Sequence, residues 1–444
     1  MRWLRRASVA LLVGIAGVAI GCGSSKSNGF TPDGGSGSSS GGSGGGDAGG
    51  VRDTGSDVPT LVTCGHPDCD GDGYATPADC NDGDPLVNPE AFDFPGDGVD
   101  DDCDGKADDP VLHCETAPSQ PPGSPTDFAR AAELCAQNSK TNAGTVFDPL
   151  VHAAWGQVAG LGPGQTLWTS QTKPEQVAIV SSFGSNMPRS GRTMFGLANG
   201  PWGATDPRSS MPLDPMGFHI DDGCAAIPLM GQDCASLTAG TPAGGVNVQD
   251  WAELALDVKI PSNVQTVDFD FSFFSSEFNQ WWQSAANDAF FVLVTSKESQ
   301  GGNVAKDSSG LAVTINSAFF QLCPAPPGPT GLSMDKSAAI QACVGTSGAS
   351  SQMIYGDLAG TGYDGAAVST DDTATAMNGS EYIYGGGTGW LSAKFPVTRG
   401  ETIQMRIVLM DTFDGLKDSA LLFDALRWEK AMGMGGIGRP PPNQ

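Results

Sequence analysis

Apolar and polar side chains alternate along three segments of the second half of the chain. The alternation covers Ala252–Ile260, Val267–Phe273 and Ile403–Leu409, and it has the two-residue period of a half-buried strand. Phe290–Val294 is a continuous apolar run, which is typical of a strand covered on both faces. The pattern predicts a mainly β fold, an antiparallel, jelly-roll-like β-sandwich.

Helical periodicity is scarce in this sequence. The best helix candidate is Asp127–Ala136, with Thr126 as its N-cap. It follows a proline-rich segment, so we assign residues 116–140 to a joint with a short helix and residues 141–430 to the sandwich. A Gly/Pro-rich tail is expected at residues 431–444.

The N-terminal residues have the pattern of a lipoprotein signal peptide. Arginines precede an apolar run from Ala7 to Ile20, and Gly21 and Cys22 follow it. Residues 1–21 are predicted to be removed and Cys22 to be lipidated, whereas cleavage at an ordinary secretory site nearby is the alternative. The apolar run is too short for a lasting transmembrane helix. We therefore expect an exported protein, held at the outer membrane or cell surface by its lipid.

Glycine, serine and aspartate dominate residues 22–60, the segment that begins at the lipidated cysteine. Such a composition buries too little apolar surface to fold, which predicts a flexible tether. The chain as a whole is strongly acidic, with a formal net charge of -27. Because so acidic a surface repels phosphate groups, we expect no nucleic-acid partner.

Residues 61–115 are rich in aspartate and cysteine, and they begin with the spacing of a calcium loop. Aspartates occupy positions 1, 3 and 5, Gly73 permits the sharp turn at position 6, and a further aspartate stands at position 12. The predicted ligands of this loop are Asp68, Asp70, Asp72, the main-chain carbonyl of Tyr74, and Asp79. Prolines and glycines flank the loop, so we expect a module with little regular secondary structure and no helix-loop-helix hand.

Two more acidic clusters follow, and they repeat the chemistry without the same register. The first contains Asp79, Asn81, Asp82 and Asp84, and the second contains Asp97, Asp100, Asp102, Asp104 and Asp108. Their oxygens are hard ligands that suit Ca²⁺ better than copper, so we expect two or three calcium ions and no organic cofactor. A solvated acidic linker with accidental spacing is the alternative.

This stretch resembles the metal-binding repeat named after MopE, a copper-binding surface protein of methane-oxidising bacteria. The matching words are DCDGDGY, DCNDGDPLVNPEA and PGDGVDDDCDG. In the commoner form of the repeat a cysteine precedes the last cluster, whereas Phe94 and Pro95 stand there in this chain. The resemblance therefore leaves the disulfide pattern open.

The chain has 11 cysteines. If Cys22 is acylated, the others can pair after export, and up to five disulfides are expected. The candidate pairs are Cys80 with Cys103, Cys224 with Cys234, and Cys323 with Cys343. Zinc is the competing use of these thiols, but the chain has no CxxC motif and its 4 histidines are scattered.

Two blocks of the predicted sandwich are similar to the hallmark blocks of the choice-of-anchor L domain. They are FDFSFFSSEFNQWWQSAANDAFFVLV at Phe269–Val294 and VTRGETIQMRIVLMDTFDGLKDSALLFDALRW at Val397–Trp428. The resemblance spans about residues 141–429. It implies an exported bacterial surface protein with a β-rich fold and no established enzymatic activity.

Polar side chains gather at strand ends within the same two blocks. These side chains are Glu277, Asn287, Asp288, Asp411, Asp414 and Asp418. We predict that they assemble a second calcium site across the sandwich edge. Turn capping through hydrogen bonds to loop amides is the alternative.

The short motifs of catalysis are missing, among them HExxH, the Walker loop and the nucleophile elbow. We therefore expect a non-enzymatic, lipid-anchored, calcium-binding surface protein that displays the sandwich for adhesion to an extracellular protein or glycan. The acidic module would be a calcium-stiffened spacer below the sandwich. Two alternatives stay open: an exported glycan-binding or glycan-hydrolysing protein, with Trp281 and Trp282 beside Glu277, and a copper-binding surface protein.

Overall fold

The structure is a computed structural model that describes residues 64–110, 112–114, 118, 123–135, 147–161, 167–203, 218–220, 246–277, 288–307, 310, 312–315, 317, 319–320, 355–364, 385–412 and 417–440. The predicted signal peptide, the lipidation site Cys22 and the tether lie outside the described residues. So do four cysteines of the predicted pairs and two tryptophans, namely Cys224, Cys234, Cys323, Cys343, Trp281 and Trp282. Within the described residues, no helix is both long and apolar enough to cross a membrane.

Strands dominate the described part of the chain. They are β1 (Leu150–Trp155), β2 (Gln157–Leu161), β3 (Leu167–Gln171), β4 (Val177–Val180), β5 (Met194–Ala198), β6 (Phe218–Ile220), β7 (Val246–Lys259), β8 (Thr266–Ser275), β9 (Ala289–Thr295), β10 (Gln300–Asn303), β11 (Val313–Thr314), β12 (Leu391–Pro396), β13 (Thr402–Thr412), β14 (Ser419–Glu429) and β15 (Gly436–Gly438). One α-helix, α1, spans Pro125–Ala131, and short 3₁₀ turns span Pro174–Gln176 and Tyr355–Leu358.

Two antiparallel sheets form the sandwich. The first runs in the order β1-β7-β13-β9-β10, with β6 paired to β7 and β11 paired to β9. The second runs β15-β12-β8-β14-β5-β4, and β2 and β3 form a separate hairpin. The predicted mainly β, antiparallel sandwich is confirmed. Each predicted strand lies inside an observed one, except that Ile260 follows the end of β7.

The main core lies between the two sheets. Phe271 of β8 meets Phe290 of β9 with ring centroids 4.9 Å apart, and this contact joins one sheet to the other. Phe269 stacks on Phe423 of the neighbouring strand β14 at 4.7 Å. All four rings are fully buried. Burial of each such side chain stabilises the fold by about 1.5–3 kcal/mol.

Strand β8 is buried on both faces, whereas its alternating pattern predicted one exposed face. Asp268 and Asp270 both accept hydrogen bonds from Nη2 of Arg427 in β14, at 2.9 and 2.8 Å. Further along the same face, Phe274 packs against Tyr363 at 5.8 Å in a second, smaller apolar cluster. Asp268 and Asp270 can be buried because the guanidinium of Arg427 pairs with their carboxylates. Burial raises the pKa of Asp270, but the hydrogen bonds and charge of Arg427 outweigh it and lower that pKa.

The helix starts earlier and ends earlier than predicted. The prediction was Asp127–Ala136 with Thr126 as N-cap, whereas the observed helix is Pro125–Ala131 with Ser124 as N-cap. The amide of Ser124 donates to Oδ2 of Asp127 at 2.7 Å, a capping contact that moves the start by two residues. After the helix, Glu133 adopts a positive φ of 70°, which ends the helical hydrogen-bond pattern.

Residues 431–444 were predicted to form a tail, but part of this segment belongs to the sandwich. Gly436–Gly438 form β15, which pairs with Ser392, Ala393 and Lys394 of β12. Ile437 packs against the main core. The second sheet therefore extends beyond the predicted end at residue 430.

The Asp/Cys-rich module, residues 64–114, consists of turns and bends without helix or strand in its described part, as predicted. Disulfides join Cys64 to Cys69, Cys80 to Cys103, and Cys114 to Cys135. The predicted pair of Cys80 and Cys103 is confirmed.

The module packs directly against the sandwich, a contact that the prediction of a stiff spacer did not include. Phe92 and Phe94 pack against the main core of the sandwich, with their rings 4.8 Å apart in an edge-to-face arrangement. The ammonium of Lys430, which follows β14, lies 3.3 Å from Oδ1 of Asp101. Apolar side chains of the module complete the end of the sandwich core, so the module is part of the same compact unit.

Candidate metal centres

The first predicted loop closes around the carboxylate of Asp68. Its Oδ1 accepts a hydrogen bond from the amide of Gly71 at 2.7 Å, and its Oδ2 accepts one from Gly73 at 3.1 Å. Both glycines have positive φ angles, 86° and 102°, which side chains other than glycine rarely adopt. Asp72 then accepts from the amide of Tyr74 at 2.8 Å. These local bonds turn the chain so that its alternating aspartates face inward.

Carboxylates from two separate turns converge in what we call the first centre, Asp68, Asp70, Asp72, Asp79 and Asp82. One oxygen from each of Asp70, Asp72 and Asp79 lies within 4.8 Å of the other two, and the same holds for Asp68, Asp70 and Asp82. Position 12 of the loop thus meets positions 3 and 5, as predicted. Asp82 joins this centre as well, although the sequence placed it in a separate cluster.

Several oxygens of the first centre are buried without a hydrogen-bond partner from the protein. They are Oδ2 of Asp70, Oδ2 of Asp72 and Oδ2 of Asp79. Asp79 is only 1% exposed. A buried carboxylate oxygen is normally satisfied by a donor or a cation, so this donor set fits a bound metal ion.

The charges of the first centre repel one another. Burial is the largest cause that raises the pKa of Asp79 to about 6, and the carboxylates of Asp72, Asp70 and Asp82 raise it further against a hydrogen bond from the amide of Asn81. Burial also raises the pKa of Asp72. A divalent cation would offset this repulsion.

A second centre comprises Asp100, Asp102 and Asp104, whose oxygens also lie within 4.8 Å of one another. Asp100 accepts hydrogen bonds from the amides of Asp104 at 3.0 Å and Gly105 at 2.9 Å. Asp102 accepts from Asp104 at 3.2 Å, and Asp104 accepts from Lys106 at 2.9 Å. The first two members, Asp100 and Asp102, are 5% and 1% exposed, so their charges too are largely removed from solvent.

The second centre repeats the register of the first, which corrects the prediction that it does not. Gly105, five residues after Asp100, donates to it as Gly73 donates to Asp68. Positive φ angles recur at position 4, where Cys103 has 58°, and at position 6, where Gly105 has 95°. The spacing DxDxDG is present in the sequence at residues 100–105. The motif was missed because its two variable positions hold another aspartate, Asp101, and a cysteine, Cys103.

Other predicted ligands shape turns and belong to neither centre. Oδ1 of Asp84 accepts from the amide of Leu86 at 3.2 Å, and Asn81 accepts through its main-chain carbonyl from Gly83 and Asp84. Oδ1 of Asp97 accepts from Val99 at 3.0 Å.

Asp108 accepts from the amides of Gly96 at 2.6 Å and Gly98 at 3.0 Å. These bonds lower the pKa of Asp108. Among the described residues, no carboxylate cluster that could hold a metal includes Asp84, Asp97 or Asp108.

Sequence reasoning missed two buried residues that organise the module. Asp93 accepts from the amides of Asp101 at 3.4 Å and Asp109 at 2.5 Å, and burial raises its pKa to about 6. The main-chain amide of Asn88 donates to the carbonyl of Asp101 at 2.9 Å. Asp93 stands in no recognisable spacing, whereas the position of Asn88 in the repeat word DCNDGDPLVNPEA was an available signal.

The disulfide of Cys80 and Cys103 ties the two centres together, because Cys80 follows Asp79 and Cys103 precedes Asp104. These sulfurs lie near Asp79 but are bonded to each other, so they offer no thiolate to a metal. Each of the two centres therefore consists of carboxylates, and neither includes a thiolate or an imidazole, the ligands that copper prefers.

The predicted site at the sandwich edge is only partly described, because Asn287 and Asp414 lie outside the described residues. Glu277, Asp288, Asp411 and Asp418 are all buried. Glu277 accepts from the amide of Asp288 at 2.6 Å, and Asp288 accepts from the side chain of Asn199 at 2.8 Å. No three of the described members form a metal-sized cluster, so this second site stays a prediction.

One further polar group, near the helix, has the composition of a nucleophile relay but not its geometry. Oγ of Ser190 lies 3.3 Å from Nδ1 of His113, and Oε2 of Glu133 lies 3.4 Å from the same nitrogen. A serine-histidine-acid relay uses both ring nitrogens, one for each partner. This arrangement therefore does not pass a proton from Ser190 through the ring.

Residues 79–109 match the family model Cu-binding_MopE, which is described as "Putative metal-binding motif". This segment is similar to that motif family. The matched residues contain the whole second centre, whereas Asp68, Asp70 and Asp72 of the first centre precede them. No curated protein and no solved structure matches the chain. The similarity of the sandwich to choice-of-anchor L domains stays a prediction.

Proposed function

We propose that the protein is an exported calcium-binding protein whose module holds one Ca²⁺ at each of the two centres. The observation that carries this proposal is the set of buried oxygens of Asp70, Asp72 and Asp79 that converge without a protein donor. Each unsatisfied buried polar group costs about 1–3 kcal/mol, and more when it is charged. A cation bound by all three removes that cost.

Calcium is the ion that this donor set favours. It takes six to eight oxygen ligands in a flexible geometry, whereas Mg²⁺ demands a near-ideal octahedron and usually keeps several waters. The carboxylates of the first centre come from two turns, a disulfide links the second of these turns to the second centre, and no histidine belongs to either centre. Copper prefers imidazole and sulfur, which argues against the copper alternative.

The disulfides indicate an extracellular or periplasmic protein, because disulfides persist in oxidising compartments. We extend the proposal to a lipid at Cys22 that anchors the protein at the outer membrane or cell surface. The sandwich, with its resemblance to choice-of-anchor L domains, would then be displayed for contact with an extracellular protein or glycan. This part of the proposal depends on the sequence patterns.

Calorimetric titration of the exported chain with Ca²⁺, Mg²⁺ and Cu²⁺ tests the proposal. We expect two calcium-binding events and weaker binding of the other two ions. A variant with Asp70→Asn and Asp72→Asn should lose one of the events. The matched control is Asp84→Asn, because Asp84 lies in the same module but only caps a turn. If the titration gave no heat of calcium binding, or if copper bound more tightly than calcium, the proposal would be wrong.

A further inference from the structure

A buried asparagine of the sandwich forms two hydrogen bonds with the main chain of the module. Asn263 lies in the turn between β7 and β8 and is fully buried. Its Oδ1 accepts a hydrogen bond from the amide of Phe92 at 2.9 Å, and its Nδ2 donates to the carbonyl of Phe92 at 2.8 Å. One side chain thus satisfies both main-chain groups of a residue 171 positions earlier in the chain.

Ser262, the preceding residue of the same turn, adds two further hydrogen bonds to the module. The amide of Ser262 donates to the carbonyl of Glu90 at 2.9 Å, and its hydroxyl donates to Oδ1 of Asn88 at 2.7 Å. Lys259, at the end of β7, lies 3.3 Å from the carboxylate of Glu90. Segment 88–92 is therefore held along its length by the β7–β8 turn.

Segment 88–92 connects the two metal centres. It follows Asp82 of the first centre and precedes Asp100 of the second. Burial raises the pKa of Asp72, a member of the first centre, and the neighbouring side chain of Asn88 acts in the opposite direction. The main-chain amide of Asn88 donates to the carbonyl of Asp101, which lies between Asp100 and Asp102 of the second centre. Any displacement of this segment would move ligands of both centres.

Lys430 provides an independent contact between the sandwich and the module. Its ammonium approaches Asp101 at 3.3 Å and Asp97 at 3.4 Å, and it lies 5.6 Å from the ring centre of Phe94. The module is thus attached to the sandwich at segment 88–92 and again between Phe94 and Asp101. Removal of a group that hydrogen bonds to a metal ligand and orients it commonly lowers metal affinity by about 10- to 100-fold.

We propose that Asn263 is a positioning residue for the two metal centres, so that calcium binding and docking of the module on the sandwich are coupled. This inference rests on the proposed calcium-binding function. Docking holds segment 88–92 in the conformation that the ligands need, which reduces the entropy lost when calcium binds. By reciprocity, calcium strengthens docking by the same factor by which docking strengthens calcium binding.

The test compares Asn263→Ala with Asn186→Ala in the full exported chain. Asn186 is also buried, and its Nδ2 donates to the carbonyls of Phe183 and Asp357, within the sandwich. Both variants should melt at lower temperature. Only Asn263→Ala should weaken calcium binding, by about tenfold, and reduce the rise in melting temperature that calcium produces.

Ser262→Ala is a milder second variant, because it removes the hydroxyl contact with Asn88 and keeps the main-chain bond to Glu90. We expect a smaller loss of calcium affinity in the same direction, and this variant decides the question if Asn263→Ala does not fold. Unchanged calcium affinity in the folded variant would overturn the coupling while the calcium function stands. If the unaltered chain itself binds no calcium, the proposed function fails first.

Discussion

The ammonium of Lys106 lies 2.9 Å from Oδ2 of Asp104, a member of the second centre. Lys106 occupies position 7 of its loop, where the first loop has Tyr74. The two loops share their main-chain hydrogen bonds, yet only the second carries a cation that competes for a ligand oxygen. The centres should therefore differ in calcium affinity.

Replacement of Lys106 by methionine should strengthen calcium binding at the second centre by about two- to fivefold, the range of an exposed ion pair. The reason is that calcium no longer displaces an ammonium from Asp104. Calorimetry measures the change. Lys297→Met, which removes one exposed lysine of the sandwich, is the matched control and should leave both binding events unchanged. Equal effects of the two substitutions would show that overall charge, and not the contact, is responsible.

Asp79→Asn should change thermal stability in opposite directions with and without calcium. In a chelator at neutral pH the variant should melt at higher temperature than the unaltered chain, because a buried charge next to three other carboxylates is removed. With excess calcium it should melt at lower temperature, because a ligand is lost. Asparagine keeps an oxygen that accepts the amide of Asn81. Asp84→Asn should cause neither shift, and a fall under both conditions would contradict the assignment of Asp79 as a ligand.

Loss of the disulfide between Cys80 and Cys103 should weaken both centres. The bond closes a loop of 23 residues in sequence separation, so its removal should lower the free energy of unfolding by about 3 kcal/mol on the chain-entropy model. A variant with both cysteines changed to alanine tests this by chemical denaturation and calcium titration. The corresponding change at Cys64 and Cys69, whose separation is 5, should cost less. If calcium affinity were the same with and without the Cys80–Cys103 disulfide, this bond would not support the two centres.

Asp424 should make the stability of the sandwich depend on pH. Burial raises its pKa to about 7 from 3.8, although the amides of Ser190, Arg189 and Ala425 donate to it. The folded state therefore holds this proton more tightly than the unfolded state. Its stabilising contribution is complete below about pH 4 and declines as the pH rises towards 7, by about 1.4 kcal/mol per pH unit.

Denaturant unfolding between pH 4.5 and 8 in saturating calcium measures this dependence, since bound calcium keeps the module's ligands ionised. Asp424→Asn should flatten the slope above pH 6, because below that pH Asp93, whose pKa burial raises to about 6, also contributes. Asp257→Asn, a change at a partly exposed aspartate of β7, should keep it. A slope that persists in Asp424→Asn would assign the titration to another group.

Local spacing allowed much of the fold and the first centre to be predicted. The strand at Phe290–Val294 and the alternating strands were confirmed, because side-chain period depends on the backbone alone. The loop from Asp68 to Asp79 was predicted for a similar reason, since its ligand positions and glycine turn lie within twelve residues. The helix boundary was wrong because two neighbouring residues, Ser124 and Thr126, can both serve as caps.

By itself the sequence determined the strand periods, the acidic loops and the oxygen-only character of the ligands, since each is a property of neighbouring residues. Tertiary structure alone decided that Asp268 and Asp270 are buried beneath Arg427, that Asp82 joins the first centre, and that Asn263 grips the module. These contacts join residues that lie far apart in the chain. They depend on how the sheets and the module pack, and a pattern of local spacing contains no record of that packing.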